Sequence, residues 1–272
     1  MKRSATLWTG CVLAGLIALI ALVSLFWLPY DPSDTSGGRL AGPGDGHLIG
    51  TDKLGRDLLT QLMTGSRIAI AAGLGSVLIA AVVGITLGLM AAFAQGWFDD
   101  TVSALLDILI AFPTLLLAML IVSARSATLT SAIIAIGLAQ SAIVARLTRI
   151  LAKRVLAQDY ITASRTSGTS WPRIVGEHVL PNIWPTLSVN LALQFGLAVL
   201  AEASLSYLGL GAPPPNASWG RMLQEAQATF TTAPAGALAP GILLVLLVIG
   251  VNLVADGLRD TLDPARRRRT AA

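Results

Sequence analysis

The sequence predicts an all-α, polytopic membrane protein with six transmembrane helices. The hydrophobic fraction is 54% and the charged fraction 12%, with mean hydropathy +0.71, whereas a water-soluble domain carries about 25% charged residues. Apolar runs recur at 7–28, 68–94, 102–122, 130–151, 183–201 and 237–254, near the roughly 20 residues that cross about 30 Å of hydrocarbon. The basic residues fall in alternate connections. With the N-terminus inside, one side holds Lys2, Arg3, Arg146, Arg149, Lys153, Arg154, Arg165, Arg173, Arg259 and Arg266 to Arg269, which is thirteen of the nineteen Lys and Arg. The other side holds Arg39, Lys53, Arg56, Arg67, Arg125 and Arg221. Positive-inside bias therefore predicts both termini in the cytoplasm. The same bias accounts for the pI near 9.7, so no nucleic-acid partner is needed to explain it.

The first run follows Lys2 and Arg3 and is stopped by Pro29-Tyr30-Asp31-Pro32. It is longer than a signal-peptide core and no small-residue cleavage site follows, so it reads as an uncleaved anchor. Cys11, the single cysteine, excludes an internal disulfide and a thiolate metal cage, and is expected to pack as a small apolar residue. The chain divides into the cytoplasmic tip and first helix (1–28), an external segment with GTDKLGRD (29–66), the remaining bundle (67–256) and a basic tail (257–272). Arg266 to Arg269 form a tail suited to anionic lipid.

In the second span Ser76, Ala80, Gly84 and Gly88 repeat every four residues. Such a stripe lets helix backbones approach closely in lipid. In the third span Asp107 precedes Pro113. A carboxylate at the centre of a spanning helix costs about 2.5–3.5 kcal/mol. Asp107 is therefore expected to face protein or water, as a gate or pathway residue or in a buried ion pair, for which a neighbouring subunit is one source of the partner. Asn190 and Gln194, one turn apart in the fifth span, are expected to look into the bundle, lining a substrate route or bonding between helices. His47 is predicted outside and His178 inside, so the two histidines cannot share a metal; no metal, cofactor or catalytic residue is assigned. Trp219 is expected at the membrane interface, and GTDKLGRD as an external turn contacting other parts of an assembly.

Between the fourth and fifth spans lies the polar stretch YITASRTSGTSWPRIVGEHVLPN, residues 160–182. Asp159 is expected to cap a short helix and Gly168 to end it in the left-handed conformation. Thr169-Ser170 with Pro172 signals a second start, and Pro181 a stop. Two short helices joined at a glycine elbow result, and helices this short need a partner surface. The polar face of Thr162, Ser164, Arg165, Thr166 and Ser167 suits protein contact.

This stretch resembles the EAA motif of bacterial ABC-importer permeases, E-A-A, three residues, Gly, nine residues, I-x-L-P. Ala163, Gly168, Leu180 and Pro181 match, while Thr162 stands for Glu, Ser164 for Ala and His178 for Ile. GTDKLGRD (50–57), DILIAFP (107–113), HVLPN (178–182), EASLSYLGLG with PPPNASWG (202–220) and DGLRDTLDP (256–264) narrow the resemblance to the dipeptide, oligopeptide and nickel permeases of the C-subunit type. It implies a type I ABC-importer permease fold in a bacterial cytoplasmic membrane. It also implies a second homologous permease as heterodimer partner, two ATP-binding subunits that hold ATP and Mg, and an external substrate-binding protein. Thr162, Ala163, Ser164, Arg165, Gly168, Leu180 and Pro181, within a coupling region of about 159–180, would then carry motion from the ATPases. The chain contains no G-x-x-x-x-G-K-[ST] loop and no Gly-Lys pair, so ATP hydrolysis is expected of the partners.

Overall fold

The computed structural model describes residues 2–44, 46–94, 96–213 and 216–262, the side chains of 2–4 and 262 excepted. Arg266 to Arg269, Pro214, Pro215 and the end of DGLRDTLDP lie outside the described residues. The described chain is helical, with two isolated β-bridges in the external segment. The helices are α1 (Lys2–Phe26), α2 (Leu58–Phe93), α3 (Trp97–Ala111), α4 (Thr114–Ser123), α5 (Leu129–Leu156), α6 (Asp159–Thr166), α7 (Trp171–Ile174), α8 (Leu180–Tyr207), α9 (Trp219–Ala226) and α10 (Ala235–Leu262). Among the described residues, five helical units are long and apolar enough to cross a membrane, and α3 with α4 makes a sixth when taken as one span.

That third span is broken, where the sequence predicts an uninterrupted run over 102–122. The α3 and α4 axes differ by 92°. Pro113 lacks an N–H and its ring crowds the preceding residue, and Phe112 accordingly adopts an extended conformation, φ −82° and ψ 134°, that ends α3.

The small-residue stripe of α2 is the seam with α5. Ser76 and Ala80 are fully buried, and Ser76 Oγ donates to the Ile133 carbonyl at 3.2 Å. A Cβ on Gly84 would lie 2.6 Å from Val144 Cβ, and one on Gly88 would lie 2.5 Å from the Ala145 carbonyl. The backbones thus approach as closely as the missing side chains allow. A second seam joins the chain ends: a Cβ on Gly10 of α1 would meet the Gly250 carbonyl of α10 at 2.7 Å. Cys11, on the same helix, is exposed rather than packed, because the turn of α1 that presents Gly10 to α10 points its neighbour outward.

Outside the bundle, residues 29–57 fold down on the start of α2. Asp57 caps α2 by accepting from Thr60 N at 2.7 Å and also contacts His47 Nδ1 at 3.0 Å, whose ring lies 4.7 Å from that of Tyr30. Within GTDKLGRD, Asp52 accepts from the Leu54 and Arg56 amides at 2.8 and 2.9 Å, and Arg56 Nε binds it at 2.6 Å. Arg56 Nη2 then reaches Glu225 on α9 at 2.6 Å, and Arg221 Nε holds the other Glu225 oxygen at 2.9 Å. GTDKLGRD is therefore tied to a second element of its own chain.

Helix α9 is pressed into the bundle. Trp219 is 1% exposed and its Nε1 donates to the Leu62 carbonyl at 3.1 Å, which corrects the expected interfacial placement. Gly65 opposite explains the burial, since a Cβ there would lie 2.5 Å from the indole, and the indole N–H finds its acceptor inside. Ser218, fully buried, caps α9 by accepting from Arg221 N at 3.2 Å, which gives Asn216-Ala217-Ser218 a structural role.

Two outcomes follow. Gly84→Leu is expected to destabilise the purified protein by about 1–3 kcal/mol through overpacking, while Gly15→Leu, whose added Cβ meets nothing within 4 Å, is expected to change it by less than about 0.5 kcal/mol; detergent thermal melts compare them. Burial raises the Glu225 carboxyl, but the Arg221 hydrogen bond and the charges of Arg56, Arg221 and Lys53 outweigh burial and leave it below the ordinary Glu pKa of 4.5. A folded value below the unfolded one contributes stability that is complete above pH 4.5 and is lost as pH falls through the folded value. The melting temperature of the native protein should fall more between about pH 6 and about pH 3 than that of Glu225→Gln.

Candidate functional site

Helix α5 ends at Leu156, and the chain turns at once into α6. The N-cap of α6 is Gln158, with Asp159 one residue inside as the acidic first-turn residue, so the expected Asp159 cap is displaced by one position. There its carboxylate still faces the positive end of the helix dipole. The end of α6 is as expected: Gly168 has φ +84°, its N–H donates to the Arg165 carbonyl at 2.9 Å, and Thr169 N donates to the Ser164 carbonyl at 3.2 Å. This paired closure satisfies carbonyls that the helix end leaves open, and it requires a residue tolerant of positive φ. Ser170 then opens α7, with Pro172 in its first turn.

Pro181 does not stop the chain. Val175–Val179 forms a π-turn, and helix runs from Trp171 through Tyr207. Leu180 N reaches back five residues to the Val175 carbonyl, and Asn182 Nδ2 donates to the His178 carbonyl at 2.6 Å. The wider turn makes room for the Pro181 ring, and the side-chain amide supplies a donor beside the N–H that proline lacks.

An apolar cluster anchors the segment between α5 and α8. Ile161, Ile174, Val179, Ile183 and Leu187 are essentially buried against Ala92 of α2 and Ala152 of α5. The Trp171 ring stands edge-on to Phe93 with centroids 5.0 Å apart, and Arg165 Cζ lies 4.3 Å over it. Tyr160 and His178 meet at 5.9 Å. Thr162, Ala163, Arg165, Gly168 and Pro181 are exposed, while Ser164 and Leu180 are half-buried. The seven motif residues thus lie on one packed segment with most of them exposed on its outer surface.

Inside the bundle, Asp107 on α3 pairs with Arg146 on α5 at 3.3 Å, with the two side chains 56% and 51% exposed. The partner of Asp107 lies in the same chain, and within the single chain the pair is open to its surroundings. Nearer the start of α3, Asp99 binds Arg149 at 2.6 Å and also Lys153. Acids along α3 therefore face bases along the C-terminal half of α5. Gln194 is 3% exposed, and its backbone carbonyl accepts from Gln140 Nε2 at 3.0 Å. Among the described residues, Asn190 Oδ1, Gln194 Oε1 and Gln140 Oε1 are buried without a hydrogen-bond partner. No ion pair or hydrogen bond joins Asp107 to Asn190 or Gln194 among the described residues.

Gln140 and Arg146 were not singled out from the sequence as parts of this face. Both lie within or at the edge of an apolar helix, and a search for every amide and cation there would have found them. Only their partners on other helices needed the structure.

A family model described as "Binding-protein-dependent transport system inner membrane component" matches residues 84–268. The glutathione transport system permease protein of Pectobacterium atrosepticum is 37% identical, the match covering 93% of this chain and 86% of that protein. The dipeptide transport system permease protein of Alkalihalophilus pseudofirmus is 39% identical over 92% of this chain and 81% of that protein. The nickel transport system permease protein of Escherichia coli K12 is 36% identical over 93% and 92%. Among solved structures, an inward-facing form of the MetNI methionine ABC transporter aligns with TM-score 0.63 and 21% identity, covering 75% of this chain and 96% of that one. That likeness gives the bundle the fold of an ABC-importer permease. With a matching family model over most of its length and these relatives, the chain belongs to the family of inner-membrane components of binding-protein-dependent transport systems.

Proposed function

We propose that this permease imports peptides, dipeptides or oligopeptides, across a bacterial cytoplasmic membrane as one half of a heterodimer with a second homologous permease. Two ATP-hydrolysing subunits hold ATP and Mg on the cytoplasmic side, and an external binding protein delivers the cargo. Names of relatives support this choice, since dipeptide and glutathione systems stand among them. The nickel relative favours a second reading in which the same machinery carries nickel or a chelated cargo.

The observation that carries the coupling reading is the exposed α6–Gly168–α7 unit, in which α6 is closed at the elbow and α7 continues as one helix into α8. A flexible loop would absorb a displacement; a capped helix fused to a spanning helix passes it on. Thr162, Ala163, Ser164, Arg165, Gly168, Leu180 and Pro181 form the proposed ATPase-coupling surface. Both termini are proposed to be cytoplasmic, supported by the basic cluster near the end of α5 and by its neighbours in the loop. Asp107, Asn190 and Gln194 are proposed to border the route. A half-exposed Asp107–Arg146 pair is costly against lipid, so that face is better matched to water or a partner permease.

Reconstitution with both permeases, the ATPases and the binding protein, assayed with a peptide library and with nickel, separates the two cargo readings: uptake of nickel alone would overturn the peptide assignment. Gly168→Pro is expected to leave membrane insertion intact and to lower ATP-driven uptake by about tenfold or more, because proline cannot adopt positive φ. Uptake at the native rate would overturn the coupling role. In a Cys11→Ser background, Ala163→Cys should react only with a membrane-permeant thiol reagent in intact cells. Replacing Asn190 and Gln194 together by Leu is expected to reduce uptake at unchanged membrane level; native uptake would assign the two amides to interhelical bonding alone.

A further inference from the structure

The short helix α6 has few holds on the rest of the protein. Ile161, 1% exposed, is its one buried residue, and an eight-residue helix does not persist in water by itself. Arg165 lies four residues later, on the same face. It forms no ion pair among the described residues; its guanidinium sits 4.3 Å over the Trp171 ring. Trp171 is 43% exposed, too open for its position to be explained by burial. It touches two elements: Arg165 of α6 lies over its ring, and Phe93, the last residue of α2, meets it at 5.0 Å with an interplanar angle of 76°. Trp171 is itself the first residue of the helical unit that ends at Tyr207.

We propose that Trp171 is a positioning residue that clamps α6 to the cytoplasmic end of α2, so that a push on α6 reaches α2 through Phe93 at the same moment as it reaches α8 through the backbone. This rests on the reading of α6 as an ATPase contact. Without the indole, α6 keeps Ile161 and the Gly168 elbow, and pivots on them. Displacement is then spent in the elbow, and ATP is hydrolysed without delivery to the bundle. The cation–π and edge-to-face contacts are both directional, which suits a joint that must hold an angle and not merely exclude water.

The test uses the complete transporter in proteoliposomes, with a mixture of radiolabelled dipeptides as probe and ATP hydrolysed per dipeptide taken up as the readout. Trp171→Ala is expected to raise that ratio by about tenfold, while Trp171→Phe, which keeps an aromatic face for both neighbours, stays within about twofold of the native ratio. Spin labels on Ala94→Cys and Ala163→Cys, in a Cys11→Ser background, should show a broadened distance distribution in Trp171→Ala only. A native ratio in Trp171→Ala overturns the clamp, as does a Phe variant no better than Ala. Should Trp171→Ala fail to assemble, Phe93→Leu decides: it keeps the apolar volume and removes the aromatic edge, so a raised ratio supports the clamp and a native ratio overturns it. Gly168→Pro separates the two levels. If it abolishes uptake while Trp171→Ala keeps the native ratio, only the clamp fails; if it transports normally, the coupling reading itself fails.

Discussion

Close contact between α2 and α5 is the constraint on which the rest of the molecule depends. Lipid supplies no hydrophobic drive to bring two apolar helices together, so association must come from backbone approach and dispersion. Gly84 and Gly88 provide it against Val144, Ala145 and Thr148, and Ser76 adds a hydrogen bond to the Ile133 carbonyl. Once that seam is formed the direction of α5 is set. The direction of α5 in turn places Arg146, Arg149 and Lys153 opposite α3 and fixes the point from which α6 departs.

The charged residues inside the bundle are arranged by this geometry and not by local sequence. Asp99 is buried and binds two bases, a pairing that meets much of the cost of removing a carboxylate from water. Asp107, two turns further along α3, meets a single base and stays half-exposed. The two acids therefore differ in kind. Asp99 pins the start of α3 to α5, while Asp107 and Arg146 present charge on an open face beside the break at Pro113.

Between α5 and α8, unlike backbone devices follow one another in sequence. A left-handed glycine closes α6, a proline in the first turn starts α7, and a π-turn accommodates Pro181 so that helix continues unbroken into α8. The proline and the π-turn resolve backbone conflicts that would otherwise break the helix between α7 and α8, and Gly168 sets the turn between α6 and α7. At the other end of the bundle, the Asp52–Arg56–Glu225–Arg221 network ties the segment before α2 to α9 with charge.

Much of this was legible in the amino-acid order because it is local or compositional. Hydropathy marks the spans, four-residue spacing marks the α2 seam, and Gly168 marks the elbow; each depends on neighbours within a turn or two. Trp219 was misplaced because burial of an indole depends on Gly65, far away in sequence and close in space. Pro181 was misread because a proline stops an α-helix by rule but not a helix that widens around it. The residues of the proposed coupling surface were found from the motif they resemble, but their exposure and the Arg165–Trp171–Phe93 stack came only from the fold. The sequence by itself determined which long segments are helical and apolar enough for lipid, since those follow from backbone satisfaction and transfer energies residue by residue; the 92° bend between α3 and α4 and the short helix α9 came from the fold. The tertiary structure alone decided which charge meets which, where Asp107 finds Arg146, and how α6 is held, because pair energies depend on distances between helices that no local pattern encodes.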